Sequence, residues 1–348
     1  VSQVNIEELL ELLQIPGVSG FEHRVRSYLV AKLRELSFEP KIDALGNVIV
    51  EIGEGSQIVL LAAHMDEVGL IVTHVEQDGK LRFRKVGGID DRALIGQKVR
   101  IYRIDSPVDI EGVIGLQPPH LQLKRDSQII PWYELYIDVG ADSREEALSA
   151  GITTPCPAVL DKRPIVLMHG KAIAGRGIDN RVGCYVLLKL AELFVREPPR
   201  SIKIVLAWTT QEEIGLRGAK ALSAMYRPTA VFVLDTVSCC NPVITGDMKL
   251  GGGPVLRVLD NEYIASPLLT ELVLEVAKSE DIPVQVATAG GATDAVELQE
   301  VNTHTLAIGI PVKYTHTSTE LCYVSDVKMW ISLIQAALTH IDFSRLQR

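Results

Sequence analysis

The chain has 348 residues, 47% hydrophobic and 23% charged, an ordinary globular make-up with length for about two domains. Its 35 basic residues against 44 acidic ones leave a net charge of −9, which argues against nucleic acid as the main partner. No window holds enough consecutive apolar residues to span a membrane, so a membrane partner is not expected either.

The opening stretch, "VSQVNIEELLELLQIPG", is acidic and amphipathic, with neither a basic n-region nor an apolar h-region. The expected compartment is therefore the cytoplasm. Helices are expected over residues 5–13 and 20–37, and strands in "NVIVEIG" and "QIVLLAAHMDEVG", the second buried and ending at His64. From about residue 68 to 163 the pattern changes to short strands with turn signals. "LIVTHVEQDGKLRFRKVGG" reads as a hairpin closed around Asp78-Gly79, and "QKVRIYR", "VDIEGVIGL" and "ELYIDVG" continue in that style. One short helix, "DSREEALSAG", is capped by Asp142 or Ser143 and stops at Gly151.

After Lys171 strands and helices alternate. "DNRVGCYVLLKLAELFVRE" is a helix, "SIKIVLAW" a strand, "EEIGLRGAKALSAMY" a helix and "TAVFVLD" a strand. "SPLLTELVLEVAKSEDI" comes next as a helix, "TLAIGIP" as a strand and "SDVKMWISLIQAALTHIDF" as the closing helix. Such alternation argues an α/β layered fold. The simplest organisation is one α/β domain, residues 1–67 and 164–348, interrupted by a β-rich insert at 68–163. Five cysteines, with Cys239 and Cys240 adjacent, suggest neither a disulfide framework nor a CxxC metal site.

Polar residues stand just past each buried strand. "IVLLAAH" ends in His64, with Asp66 two residues on, and "KIVLAWTTQ" ends in Glu212-Glu213. "AVFVLD" ends in Asp235, and "TLAIGIPVKYTH" leads through a turn at Pro311 to His316. Asp179 opens a helix after "AGRGID". In open α/β sheets, function gathers beyond the carboxyl ends of the strands. Taken singly, Asp179 reads as a helix N-cap, His64 as a core histidine, and Glu212-Glu213 as acids favoured by a helix dipole. His74, His120, His169 and His304 carry no such signal. Together, two histidines and several carboxylates without cysteine suit a borderline divalent ion such as zinc or cobalt. Spacing alone names a metal site and leaves the reaction open.

The motifs "GVSGFE" (17–22), "DALGNVI" (43–49), "AAHMDEVGLIV" (62–72), "VGGID" (86–90), "GIDNRVGC" (177–184), "TTQEEIGLRGA" (209–219), "LDT" (234–236), "GGATDA" (290–295) and "IPVKYTHTSTE" (310–320) run along nearly the whole chain. In this order they resemble the M42-type metallo-aminopeptidases, which include the tetrahedral (TET) and glutamyl aminopeptidases. The resemblance implies a three-layer zinc-peptidase-like catalytic domain with a central mixed sheet. It implies a PDZ-like or barrel-like insert used for self-assembly, with many members forming dodecamers, and so a job for the insert outside the chemistry. It further implies two divalent metal ions per chain: one on His64 and Asp235, the other on Glu213 and His316, with Asp179 bridging. Asp66 would orient His64, and Glu212 would be the general acid/base. Such paired ions, about 3.5–4 Å apart, polarise the scissile carbonyl and acidify a water between them. The implied substrates are peptides whose free N-terminus binds in the site.

Three features depart from the family pattern: Ala292 where a third glycine is usual, Val296-Glu297 where small residues are common, and the sequence "LDTVSCCN". All fall where the substrate side chain is expected, which leaves the preferred N-terminal residue open. Other readings are a carboxypeptidase or another metal-dependent amidohydrolase on the same scaffold, and a binding protein on a peptidase scaffold, which would not be expected to keep Glu212. A glycosidase needs only two carboxylates about 5–9.5 Å apart and leaves both histidines unexplained.

Overall fold

The apolar runs that read as buried strands form the middle of an eight-stranded sheet in the computed structural model, which describes residues 4–116 and 129–347. In chain order the strands are β1 (Lys41–Ile42), β2 (Val48–Ile52), β3 (Gln57–His64), β4 (Gly69–Val75), β5 (Leu81–Val86), β6 (Lys98–Ile101), β7 (Ile110–Val113) and β8 (Cys156–Leu160). They continue as β9 (Ile165–Leu167), β10 (Ala172–Gly175), β11 (Ile202–Thr209), β12 (Ala230–Ser238), β13 (Val255–Leu259), β14 (Gln285–Thr288), β15 (His304–Val312) and β16 (Glu320–Tyr323). The helices are α1 (Ile6–Gln14), α2 (His23–Glu35), α3 (Arg144–Ser149), α4 (Ile178–Phe194), α5 (Arg217–Met225), α6 (Pro242–Thr245), α7 (Pro267–Ser279), α8 (Ala295–Gln299) and α9 (Val324–His340). His120 lies outside the described residues. Among those described, no helix is long and apolar enough to cross a membrane.

The large sheet has the order β1-β2-β11-β3-β12-β15-β13-β14. Its four middle strands, β11, β3, β12 and β15, are mutually parallel, while β2 and β13 flank them antiparallel. Those middle strands are buried almost residue after residue, so both sheet faces are covered, as a parallel core requires. Helices α1 and α9 pack on α4, α7 packs on α9, and α5 packs with α8. The carboxyl ends of the parallel strands meet at one edge. His64 closes β3, Asp235 lies in β12, and β15 leads towards His316. The turn expected at Pro311 falls later, because Pro311 still pairs with Val237 in the parallel ladder. The chain bends instead at Tyr314 and His316, both with left-handed backbone (φ 61° and 62°).

A second, five-stranded sheet, β5-β4-β8-β6-β7, is antiparallel throughout. It has a separate apolar cluster that includes Leu70, Val72, Leu81, Phe83, Val99, Ile101 and Ile137. The hairpin expected around Asp78-Gly79 is β4–β5, with Gly79 at φ 82°. "ELYIDVG" is not the full strand expected. It makes single bridges, Ile137 to Leu81 and Asp138 to Val113. A small third sheet has the order β16-β10-β9. Cys239 and Cys240 are joined to each other, so adjacency that argued against a disulfide framework still permits a vicinal pair. Cys156, Cys184 and Cys322 are free and buried.

One buried ion network fixes the end of β3 to the start of α4. Glu67 receives the guanidinium groups of Arg176 and Arg181 and the backbone N–H of Gly17. Arg176 also donates to the carbonyl of Gln14, and Arg181 to those of Leu12, Ile15 and Met65. Every one of these charges is buried, so the loss of one partner strands the others.

Gly309 of β15 pairs with Asp235 across the parallel ladder, and a Cβ placed on it would lie 1.7 Å from the Asp235 carbonyl oxygen. Overpacking a core costs about 1–3 kcal/mol, and here the obstacle is main chain. Gly309→Ala is expected to lower the thermal midpoint by at least the equivalent of this range and to displace Asp235. An unchanged melting curve would refute the close approach.

Candidate metal centre

The stretch "AWTTQEEIGLRG" reads as strand leading directly into helix, and here the structure differs. After β11 the chain passes through Gln211 in left-handed backbone (φ 56°), one 3-10 turn at Glu212–Ile214, then Gly215 and Leu216 at φ 114° and 54°. The helix starts only at Arg217. The reason is a competing acceptor. The buried Asp66 carboxylate takes the backbone N–H of Glu212 at 3.0 Å and of Glu213 at 3.1 Å, along with the Ser19 hydroxyl at 2.6 Å. Glu22 takes the N–H of Gln211, and the Asn47 side chain takes that of Thr210 while donating to the carbonyl of Gly218. The main chain is held from behind, and both glutamate side chains line the cavity in front.

Asp179 is not the helix cap that its position suggests. Its backbone (φ −76°, ψ 103°) is non-helical, as is that of Asn180, and the peptide between them is cis. Its N–H goes to Glu320 Oε2 at 2.9 Å, and the other oxygen of Glu320 accepts the N–H of His316 at 2.7 Å. His64 Nδ1 lies 3.2 Å from the Asp66 carbonyl and 3.5 Å from its carboxylate, which orients the ring with Nε2 towards the cavity. Asp235 receives the Thr293 hydroxyl at 2.7 Å and the N–H of Thr236.

These side chains converge. His64 Nε2 is 3.3 Å from Asp179 Oδ1, 3.5 Å from Asp235 Oδ1 and 4.0 Å from Glu212 Oε2. His316 Nε2 is 3.4 Å from Glu213 Oε1 and 3.6 Å from Asp179 Oδ2. The sets His64–Asp179–Asp235 and Asp179–Glu213–His316 each offer ligand atoms within 4.8 Å of one another, and so does His64–Glu212–Glu213. Asp179 belongs to both of the first two, with one oxygen turned to each. Two imidazoles with carboxylates and no thiolate form a donor set that fits a divalent ion of the zinc type. Of the seven residues singled out from sequence, six line a cavity of about 740 Å³, and Asp66 sits behind it.

The charges are strongly perturbed. Burial disfavours protonation of His64, yet Glu212, Asp179, Asp235 and Asp66 outweigh it and hold its pKa well above the ordinary value. Burial likewise opposes protonation of His316, but Glu213, then Asp179 and Glu320, push it up to about 10. Burial raises Glu212 well above the usual carboxylate range, with Asp235 and Glu213 adding to it against His64. Burial also raises Glu213, against the hydrogen bond from His316. Asp179 goes the other way, because its contacts with His64 and His316 overcome burial.

Sequence reasoning does not single out Ser19, Glu22, Asn47, Thr293 or Glu320. Each stands inside a quoted motif, which is the available signal. One turn within residues 68–163 also reaches the site. Gly88 lines the cavity, and its carbonyl faces His316 Nδ1 at 3.3 Å. The family-departing residues Ala292, Val296 and Glu297 line the cavity too, with Glu297 3.8 Å from Lys220 Nζ. His74 and His304 pair elsewhere, with Arg144 and Ser266.

A profile described as M42 glutamyl aminopeptidase matches residues 46–333. The chain is 34% identical to the lysyl aminopeptidase of Pyrococcus furiosus, over 97% of this chain and 98% of that protein. It superposes on a solved PhTET1 dodecamer subunit with a TM-score of 0.91 and 42% identity, covering 97% of this chain and 100% of that one. The TET1 peptidase of Pyrococcus horikoshii, described as able to form a tetrahedron or a large octahedral shell, gives 0.91 and 43%, covering 97% and 99%.

With a metal-free pKa of about 10, His316 carries a proton at pH 7 that an incoming ion must displace. Zinc binding is therefore expected to release at least one proton per chain, and its apparent affinity to rise from pH 7 towards 10. Calorimetry in buffers of different ionisation enthalpy reads this directly. Binding without proton release at pH 7 would contradict it.

Proposed function

The chain belongs to the M42 glutamyl aminopeptidase family and is a peptide hydrolase of the aminopeptidase kind, and from that premise we propose a paired-metal mechanism. His64 and Asp235 hold one divalent ion, Glu213 and His316 hold a second, and Asp179 serves both. The observation that carries this reading is the split of Asp179, Oδ1 towards His64 and Oδ2 towards His316. Zinc or cobalt suits these donors. When bound, the ions supply Lewis-acid polarisation of the scissile carbonyl and activation of the attacking water.

The chain's own groups do the rest. Glu212 receives the proton of the attacking water and returns it to the leaving amine. Its raised pKa, caused first by burial, suits both halves of that transfer. Asp66 positions Glu212 and Glu213 through their main-chain N–H groups and does not itself reach the cavity. With two divalent ions offsetting Asp179, Glu212, Glu213 and Asp235, the lining still holds Glu262 and Glu297. These favour an approaching ammonium group over a carboxylate, which fits removal of N-terminal residues better than carboxypeptidase action. A glycosidase would keep its activity in EDTA, and this enzyme is expected to lose it.

The two adjacent glutamates are expected to fail differently. Glu212→Gln keeps size and removes the base, so turnover on an aminoacyl chromogenic amide should fall about 10²–10⁴-fold with both ions retained. Glu213→Gln removes a charged ligand, so one ion binds more weakly and added metal restores part of the rate. Normal turnover of Glu212→Gln would overturn the acid–base assignment.

We further propose that residues 68–163, which contain the five-stranded sheet, act as an inserted module for self-association. Homology to the TET1 peptidase supports a dodecamer. Light scattering at micromolar concentration should give about twelve chains per particle, and a stable monomer would exclude the assignment.

A further inference from the structure

His316 is the least enclosed of the metal-type residues, with a third of its side chain exposed, on a loop with two left-handed residues. Something must hold its ring. Glu320, at the start of β16 in the three-stranded sheet, fixes the backbone N–H of His316. The ring itself meets a different element. Its Nδ1 lies 3.3 Å from the carbonyl oxygen of Gly88, in the turn after β5 of the five-stranded sheet. A carbonyl can only accept, so this contact keeps a hydrogen on Nδ1, and the nitrogen that gives up its proton to an incoming ion is Nε2, the one facing Glu213 and Asp179.

The turn is built for that proximity. A Cβ on Gly88 would lie 3.0 Å from His316 Nδ1 and 3.4 Å from its Cε1, with no other heavy atom within 4 Å. Gly87 has a left-handed backbone (φ 76°), and a Cβ on it would lie 2.5 Å from Val68 Cγ1 and 3.3 Å from Glu213 Oε2. The turn is braced from its own sheet, where Lys85 Nζ donates to the carbonyl of Ile89 and pairs with Asp91, and Asp91 accepts the N–H of Trp132. A second staple joins the same two parts, from the Ser318 hydroxyl to Gln97 Oε1 at 3.1 Å.

We propose that the Gly87–Gly88 turn positions the ligands of the Asp179–Glu213–His316 ion, so that the five-stranded sheet completes the metal centre. The proposal rests on the ligand reading given above. The carbonyl of Gly88 orients the imidazole, the absence of a side chain at Gly88 lets the turn approach that ring, and Gly87 supplies the left-handed bend against Val68. Seating of the five-stranded sheet against the ligand loops is thereby coupled to the affinity of one ion and not the other.

The test is calorimetric titration of chelator-stripped, full-length protein with zinc, with assembly followed by light scattering. His316→Ala serves as the benchmark and should lose one of two binding events. Gly88→Val, whose branched side chain must displace the imidazole, should weaken that same event about 10–100-fold, the range for partners of metal-bound histidines. Gly88→Ala should weaken it less. Lys85→Met, which loosens the turn without touching a ligand, should act in the same direction. Gly115→Ala, where a Cβ meets nothing within 4 Å, should titrate like the unaltered chain. The other binding event and the particle mass should hold in every variant but Gly88→Val, where misfolding is checked by the melting curve.

If His316→Ala loses an ion while Gly88→Ala, Gly88→Val and Lys85→Met bind both normally, the positioning role is wrong and the ligand reading stands. If His316→Ala keeps both ions, the ligand reading falls and the positioning role with it.

Discussion

Two buried carboxylates that never reach the cavity hold four of the six side chains that do. Asp66 accepts the N–H groups of Glu212 and Glu213, and Glu320 those of Asp179 and His316. The remaining two, His64 and Asp235, stand on rigid parallel strands and need less help. Crowding acids into a low-dielectric space is unfavourable, and loops carrying them would otherwise splay apart. Charge-assisted hydrogen bonds to backbone donors resist this, because each fixes main chain and side-chain direction together. The cost appears in Glu320, which burial and the nearby Asp179 push well above the ordinary carboxylate pKa.

The part of the site on strands is legible from sequence. Runs such as "IVLLAAH" and "AVFVLD" announce buried parallel strands, and the residue at the end of such a strand has one place to go. The part on loops is not. Glu212-Glu213 ahead of helix formers looks like a helix start, because nothing nearby in sequence shows that Asp66, more than a hundred residues earlier, removes those donors from the helix. Asp179 looks like a cap for the same reason. Its capping role is local and plausible, while its actual N–H acceptor, Glu320, lies 141 residues away. Family resemblance supplies the ligand roles that spacing leaves open.

Short strands escape for a different cause. In β14, burial alternates between half-buried and exposed along four residues, and β13 carries Arg257 amid its apolar positions. Neither presents a run long enough to separate from loop. The strand β8 is central to its sheet although Pro157 interrupts it, and it accepts partners on both sides. The sequence conveys a style there, many short strands with turns, rather than a pairing order.

The ion network around Glu67 gives the leading helix α1 a bearing on a site it never touches. Arg181 and Arg176 cap the carbonyls at the end of α1, and the same guanidinium groups steady Glu67, next in sequence to Asp66. A chain trimmed from the front past Ile15 would take three carbonyl acceptors from these two buried cationic groups and leave them Glu67 and the Met65 carbonyl. The leading helix is thus a keystone, and tags or fusions are better accommodated ahead of Asn5 than in place of α1.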